Sequence, residues 1–122
     1  MFQNRAAESM DAVVELVGEE IDRLDDADRR PDRILVATFH RAERDRLRDE
    51  LGFVAWEAGN PQAIVCETVH RVKGLEFDHV ILATADPNPP DSLLAVGVSR
   101  AISGLTVIAP SAVGQRLGLV EA

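Results

Sequence analysis

Short, nearly uninterrupted apolar runs separated by charged, amphipathic segments are the feature that most constrains the fold of this chain. The clearest run spans residues 34–39 (ILVATF) and is typical of a strand buried on both faces of a sheet. Similar runs occupy residues 63–66, 79–84 and 105–109, and a weaker one occupies residues 53–56. Because strands that alternate with helices form βαβ units, this pattern predicts an α/β domain with a mostly parallel sheet.

Amphipathic helices are predicted between these runs. Residues 6–24 carry apolar side chains at three- and four-residue steps with acids on the other face, and Ser9 is a candidate N-cap. The charged residues 40–51 predict a surface helix that ends at Gly52. A third helix over residues 91–101, capped by its first or second residue, and a short terminal helix complete the pattern.

The composition fits one soluble globular domain. The chain has 122 residues, of which 46% are hydrophobic. No apolar run approaches the roughly 20 residues that cross a bilayer, and a signal-peptide pattern is absent, so we expect a cytoplasmic protein without membrane contact. The single cysteine, Cys66, excludes an internal disulfide and lies in an apolar run, which predicts a buried, inert thiol.

The net charge of -8 is concentrated near the start of the sequence, where residues 1–30 hold nine acids and four arginines. Such an acidic chain is a poor candidate for non-specific nucleic-acid binding, because phosphates are bound by clustered Lys and Arg side chains. A few positioned contacts to nucleic acid remain compatible with this charge.

Residues 68–77 (TVHRVKGLEF) stand out because they contain the only lysine of the chain and follow an apolar run. In open α/β sheets ligands bind at the carboxyl ends of the strands, so we expect residues 67–76 at such a position. Glu76 can accept a hydrogen bond from a sugar hydroxyl, and a solvated turn with one lysine is the simpler alternative from composition alone. Four residues of this segment suit phosphate oxygens: the Thr68 hydroxyl, the His70 imidazole, the Lys73 ammonium, and Gly74, which lets the backbone approach a ligand closely.

A second segment, residues 93–101 (LLAVGVSRA), forms an apolar helix with a single charged side chain, Arg100. A guanidinium in this setting either extends to solvent or meets an anion. At a cleft it can stabilise charge that develops on a transferred phosphoryl group. A structural salt bridge to Glu76 or Asp78 is an equally good alternative.

Several motifs of catalytic sites are absent from the sequence. It contains no GxxxxGK[ST] segment and therefore no P-loop, and no acidic pair after a strand indicates a magnesium site. The three histidines do not stand at metal-ligand spacing with Cys66, so no metal site is expected. No GxSxG segment or Cys–His pair indicates a covalent hydrolase.

Residues 68–77, followed by an apolar strand, resemble motif V of UvrD/Rep-type superfamily 1 DNA helicases, and residues 93–101 resemble motif VI. Residues 34–51 are similar to a strand and helix of the same lobe, so that the resemblance spans residues 12–110. It implies a single RecA-like C-terminal lobe over residues 1–122. The implied fold is a three-layer, P-loop NTPase-like α/β domain, with a mostly parallel sheet flanked by helices and no P-loop of its own.

In such helicases ATP and Mg²⁺ bind between two lobes, and the N-terminal lobe carries the P-loop. The resemblance implies that Arg100 is the catalytic arginine that reaches the γ-phosphate, and that Glu76 and Gly74 lie at the ATP. The isolated chain is then expected to bind neither ATP nor Mg²⁺ and to be inactive as an enzyme. The residues expected at single-stranded DNA are Thr68, His70 and Lys73, with Lys73 and Gly74 in the loop between the two ligands.

The sequence departs from the family pattern in several places. Ser99 stands where threonine is usual, and Ala95 replaces a frequently aromatic position. The upstream arginine-bearing motif is not recognisable, and the short stretch before motif V indicates that the large accessory subdomain inserted there is missing. Two interpretations follow: one lobe of a helicase that works with a P-loop lobe, or a stand-alone RecA-like relic that serves as a non-enzymatic binding module.

Overall fold

The computed structural model describes residues 2–72 and 74–118, which form five strands, four α-helices and three 3-10 turns. The strands are β1 Phe2–Ala6, β2 Ile34–Thr38, β3 Val65–Thr68, β4 Phe77–Ala83 and β5 Ala101–Ala109. The helices are α1 Met10–Asp26, α2 Arg41–Leu51, α3 Asp91–Val98 and α4 Ser111–Arg116. The 3-10 turns are Pro31–Arg33, Trp56–Ala58 and Val69–Val72.

The described strands form one parallel sheet in the order β1-β5-β4-β2-β3, so β4 is the central strand. Helices α1 and α2 pack on one face, while α3, α4 and the Val69–Val72 turn pack on the other. The result is a three-layer arrangement with a hydrophobic core on each side of the sheet. The predicted α/β fold with a parallel sheet flanked by helices is confirmed.

The apolar runs of the sequence become strands that are buried on both faces. All five residues of β2 are buried, as expected for an inner parallel strand. In β4, Val80 and Leu82 face the α3 side, whereas Ile81 and Ala83 face the α1 side. Because both faces of these strands are covered by helices, their sequences are apolar at nearly every position instead of alternating.

The helices largely follow their predicted boundaries. The Ser9 hydroxyl accepts a hydrogen bond from the backbone N–H of Ala12 (3.2 Å) and caps α1, and α2 ends at Gly52, whose φ of 74° is left-handed. Helix α3 ends at Val98, three residues earlier than predicted. Its N-cap is Pro90, so the expected side-chain cap is wrong. No helix in the described ranges is long and apolar enough to cross a membrane.

The edges of the sheet differ most from the prediction. The sequence pattern does not predict β1, because its middle residues are polar, yet it pairs in parallel with β5 along its whole length. The predicted strand at residues 53–56 is wrong. Val54 makes a single parallel bridge to Val65, and the chain then turns into Trp56–Ala58. Both differences lie where pairing partners, rather than local sequence, decide whether a segment becomes a strand.

Cys66 in β3 is buried, as predicted. Burial raises the pKa of its thiol to about 12, since a thiolate is poorly solvated inside the core; nearby Arg48 opposes this shift. The thiol is therefore protonated at neutral pH, and an inert structural role follows.

A close contact between β4 and β5 generates the first prediction. A Cβ at Gly104 would lie 2.9 Å from Cε1 of His79 and closer still to Nδ1, and the His79 ring is held by a 3.0 Å hydrogen bond to Thr106 Oγ1. Gly104→Ala is therefore expected to lower the free energy of unfolding by about 1–3 kcal/mol, measured by urea denaturation.

Gly18→Ala is the matched control. Its Cβ meets only Leu51 at an ordinary 3.7 Å, and it lies inside α1, so alanine is expected to stabilise the protein by about 0.5–1 kcal/mol. Equal stability of the Gly104→Ala variant and the wild type would show that the strands tolerate a side chain at this position.

Candidate functional site

A cavity of about 570 Å³ lies at the carboxyl ends of β2 and β3. The two strands are parallel neighbours, and Thr38 pairs with Thr68 where both strands end. The segments that follow these strands therefore border one space, as expected for ligand sites in parallel sheets. The residues that line it are Phe39, His40, Arg41, Arg44, Thr68, His70 and Arg71.

The turn Val69–Val72 explains how the polar residues reach this cavity. Val69 and Val72 are fully buried in the core on the α3 side. Positions three residues apart in a 3-10 turn lie on the same side, so burial of the two valines leaves His70 and Arg71 exposed. Packing of the valines thus sets the direction of the His70 and Arg71 side chains.

The cavity is basic although the chain as a whole is acidic. Among the residues that the structure describes, the exposed Arg41 side chain has no hydrogen bond or ion pair. Arg44 pairs with its neighbour Asp45 (2.9 Å), and Arg71 pairs with Glu57. Both pairs are solvent-accessible, so an incoming anion can compete for these guanidinium groups at little cost.

A buried carboxylate holds the first turn of α2 beside the end of β4. Glu43 accepts hydrogen bonds from the Thr84 hydroxyl (2.8 Å) and from the backbone N–H of Ala85 (2.7 Å). His40 lies 2.7 Å from Asp86, and this hydrogen bond is the main reason that the pKa of Asp86 lies below its usual value. Charge-assisted hydrogen bonds of this kind compensate the burial of Glu43 and fix the cavity wall.

The second group of predicted site residues lies where the strands begin, which we call the amino edge of the sheet. The cavity lies where the strands end, which we call the carboxyl edge. The backbone N–H of Phe77 donates to the carbonyl of Arg100 (2.9 Å), and Phe77 pairs with Ala101 where β4 and β5 begin. Glu76 and Arg100 are therefore the residues that immediately precede two adjacent strands. Gly74, with a φ of 83°, is exposed two residues before Glu76.

The Arg100 side chain has few partners in the described protein. One guanidinium nitrogen donates to the Ser99 hydroxyl (3.0 Å), whereas its Nε is buried without a hydrogen-bond partner among the described residues. The alternative of a salt bridge is wrong for Asp78, which pairs with Arg33 instead (2.8 Å). No ion pair to Glu76 is formed within residues 2–72 and 74–118 either. A buried donor without an acceptor is unusual and favours an external anionic partner.

The segment between the two groups crosses the sheet from one edge to the other. The strand register places Thr68 level with the last residue of β4. Phe77 is the first residue of β4, about six residues away along the strand. At a rise of about 3.3 Å per residue, the two positions are roughly 20 Å apart. The expectation that residues 67–76 lie together at the carboxyl ends is therefore wrong for Gly74 and Glu76. The structure brings Thr68 and His70 together at one edge, and Glu76 and Arg100 together at the other.

Lys73 lies outside the described residues, so the structure does not place it. The sequence interpretation missed the arginines of α2 and Arg71, which provide most of the charge of the cavity. A signal existed: four arginines within residues 41–48 directly follow a buried strand. No group of residues that can hold a metal ion is found in the described part of the chain.

This combination defines a class of protein: a parallel α/β domain with a basic cavity where two strands end and, where two other strands begin, an arginine whose Nε has no hydrogen-bond partner among the described residues. Residues 63–108 match the family model of the UvrD-like helicase C-terminal domain. The matched segment includes Thr68, His70, Gly74, Glu76 and Arg100. The resemblance to UvrD/Rep-type helicases is thereby confirmed for this part of the chain.

A solved structure supports the fold. The crystal structure of the C-terminal domain of a possible DNA helicase from Lactobacillus plantarum WCFS1 superimposes with a TM-score of 0.72. The alignment covers 88% of this chain and 73% of that chain, with 22% sequence identity. At this identity the likeness shows a shared fold. No curated protein matches the chain in sequence at a significant level.

Proposed function

We propose that this domain is the C-terminal lobe of an ATP-dependent DNA helicase, and that it contacts DNA at one edge of its sheet and ATP at the other. The observation that carries this proposal is the crossing segment, residues 69–76. It begins at the basic cavity and ends beside Arg100, so a single short connection touches both candidate sites.

The carboxyl edge suits the backbone of single-stranded DNA. The Thr68 hydroxyl, the exposed His70 and the guanidinium groups around them offer donors to phosphate oxygens and no pattern for reading bases. We include Lys73 in this contact because it directly follows the Val69–Val72 turn in sequence. Because the cavity is lined by three arginines in a chain of net charge -8, binding is expected to be local and weak.

The opposite edge suits the nucleotide. Arg100 is proposed as the arginine finger that approaches the γ-phosphate of an ATP held by the P-loop of an N-terminal RecA-like lobe. That lobe would also hold Mg²⁺, since this sequence has no P-loop. Glu76 is proposed to accept a hydrogen bond from the ribose, and Gly74 allows the backbone to approach the ligand closely.

In this mechanism, closure of the two lobes on ATP brings Arg100 to the phosphoryl group, where its charge stabilises the transition state. Movement of Arg100 pulls on Phe77 through the 2.9 Å backbone hydrogen bond. The crossing segment then carries the displacement toward His70 and the DNA contacts. In this way the backbone of the crossing segment couples ATP binding to DNA binding.

A second candidate function is a stand-alone, non-enzymatic nucleic-acid binding module. The observation that favours it is that the basic cavity is lined by residues of this domain and does not involve Arg100. Both candidates require the cavity to bind DNA, and only the first requires Arg100 to act on ATP.

The DNA contact is tested with two arginine variants of the purified chain. Arg41→Ala is expected to weaken binding of single-stranded DNA about 3- to 10-fold and to lower the salt dependence of log K by about 0.7, the value for one lost phosphate contact. Fluorescence anisotropy at several salt concentrations measures both quantities.

Arg29→Ala is the matched control, because it removes the same charge from an exposed position outside the cavity. If both variants lose affinity equally, the binding reflects overall charge and the cavity is not the DNA site.

The ATP contact is tested in a protein that joins this lobe to its P-loop lobe. Arg100→Ala is expected to lower kcat by about 10³-fold or more while the Kd for ATP changes little, because the finger acts mainly in the transition state. The isolated 122-residue chain is expected to hydrolyse no ATP with or without DNA. Unchanged turnover of the variant, or DNA-stimulated turnover by the isolated chain, would contradict this assignment.

A further inference from the structure

A second cavity, of about 280 Å³, lies at the amino edge of the sheet beside the start of β3. It is separate from the basic cavity, which lies at the carboxyl edge, and none of the predicted site residues lines it. Its walls come from two places: the Pro31–Arg33 turn that precedes β2, and the segment between α2 and β3. Its lining includes Asp32, Trp56, Gly59, Asn60 and Pro61.

Trp56 gives this cavity an aromatic wall. It is the only tryptophan of the chain, and it is 45% exposed, which is unusual for so large an apolar side chain. One part of the ring is fixed by an edge-to-face contact with Phe77, with ring centroids 5.7 Å apart. Its backbone N–H donates to buried Glu67 (2.9 Å), so the position of the residue is set from both sides.

Asp32 adds a hydrogen-bond acceptor without a partner. Its Oδ2 is paired with Arg30 (2.7 Å), whereas its Oδ1 is buried and has no hydrogen bond within the described residues. Such an atom calls for a donor, because desolvating a carboxylate oxygen without a hydrogen bond is costly. In the described ranges, Nε of Arg100 is the only other buried side-chain polar atom without a hydrogen-bond partner.

Asn60 adds a side-chain amide to the lining of the cavity. Its Oδ1 accepts the backbone N–H of Gln62 (2.9 Å), which assigns the other side-chain atom as the NH₂ group. The turn that carries Asn60 is fixed by Gly59, with a φ of 60°, and by Pro61. The residues that line the cavity therefore include an exposed aromatic ring, a carboxylate and a side-chain amide.

We propose that this cavity binds a nucleobase that presents an exocyclic amino group next to a ring nitrogen acceptor, as cytosine and adenine do. The base stacks on Trp56, its amino group donates to Asp32, and its ring nitrogen accepts from Asn60. Thymine and uracil carry a carbonyl oxygen where the amino group is needed, and this oxygen would face the Asp32 carboxylate. The inference is independent of the DNA and ATP contacts proposed above.

The base can belong to a free nucleotide or to a single strand, and the experiment separates these sources. The intrinsic fluorescence of Trp56 is titrated with CMP, AMP and UMP, and in parallel with short oligo(dC), oligo(dA) and oligo(dT). Because the protein has no other tryptophan, quenching reports occupancy of this cavity directly. Cytosine and adenine ligands are expected to bind roughly tenfold or more tightly than uracil or thymine ligands. Response to mononucleotides identifies a free nucleotide as a ligand, and response to oligonucleotides alone identifies a strand.

Asp32→Asn replaces the acceptor while keeping the shape, and it is expected to abolish the preference for cytosine over uracil. Asp49→Asn is the matched control: it removes the same charge from an exposed acid of α2 and should leave the preference intact. Thermal unfolding of both variants verifies that they are folded, and the wild-type comparison of CMP with UMP tests the proposal even if one is not. Absence of quenching by every ligand, or equal quenching by cytosine and uracil ligands, would overturn it.

Discussion

Hydrogen bonds hold the central strand β4 at both ends, and the two candidate sites depend on them. At its start, the backbone N–H of Phe77 donates to Arg100, and just past its end the backbone N–H of Ala85 donates to the buried carboxylate of Glu43. Five of its seven residues are apolar and fully or almost fully buried between the two cores. We expect a strand held in this way to move as a unit, because a close-packed interior has little free volume.

This arrangement explains why the candidate site residues lie at two edges of the sheet instead of one. The basic cavity forms where β2 and β3 end, whereas Glu76 and Arg100 lie where β4 and β5 begin. Residues 69–76 join the two edges because β3 and β4 are parallel and the chain must return across the sheet between them. Parallel topology itself therefore places the start and the end of the TVHRVKGLEF segment roughly 20 Å apart.

The sequence predicts the inner part of the fold well and its edges poorly. Inner strands such as β2 are apolar at every buried position, so their pattern is unambiguous. β1 has a polar middle and is a strand only because β5 pairs with it, which no local pattern reveals. The motif resemblance predicts Thr68, His70 and Arg100 as site residues, but it does not predict that Arg41 and Arg71 join the first two residues in one cavity. The sequence does not predict a role for Trp56, because its exposure and its contact with Phe77 follow from the three-dimensional fold.

The central claim is that the backbone of single-stranded DNA is bound at the carboxyl edge and not at Glu76 and Arg100. It is tested most directly by recording amide NMR spectra of the ¹⁵N-labelled chain during titration with oligo(dT), whose bases the amino-edge cavity is expected to disfavour. The account predicts chemical-shift changes concentrated at Arg41, Arg44, Thr68, His70 and Arg71. Changes of equal size at Glu76 and Arg100, or changes confined to that edge, would contradict it.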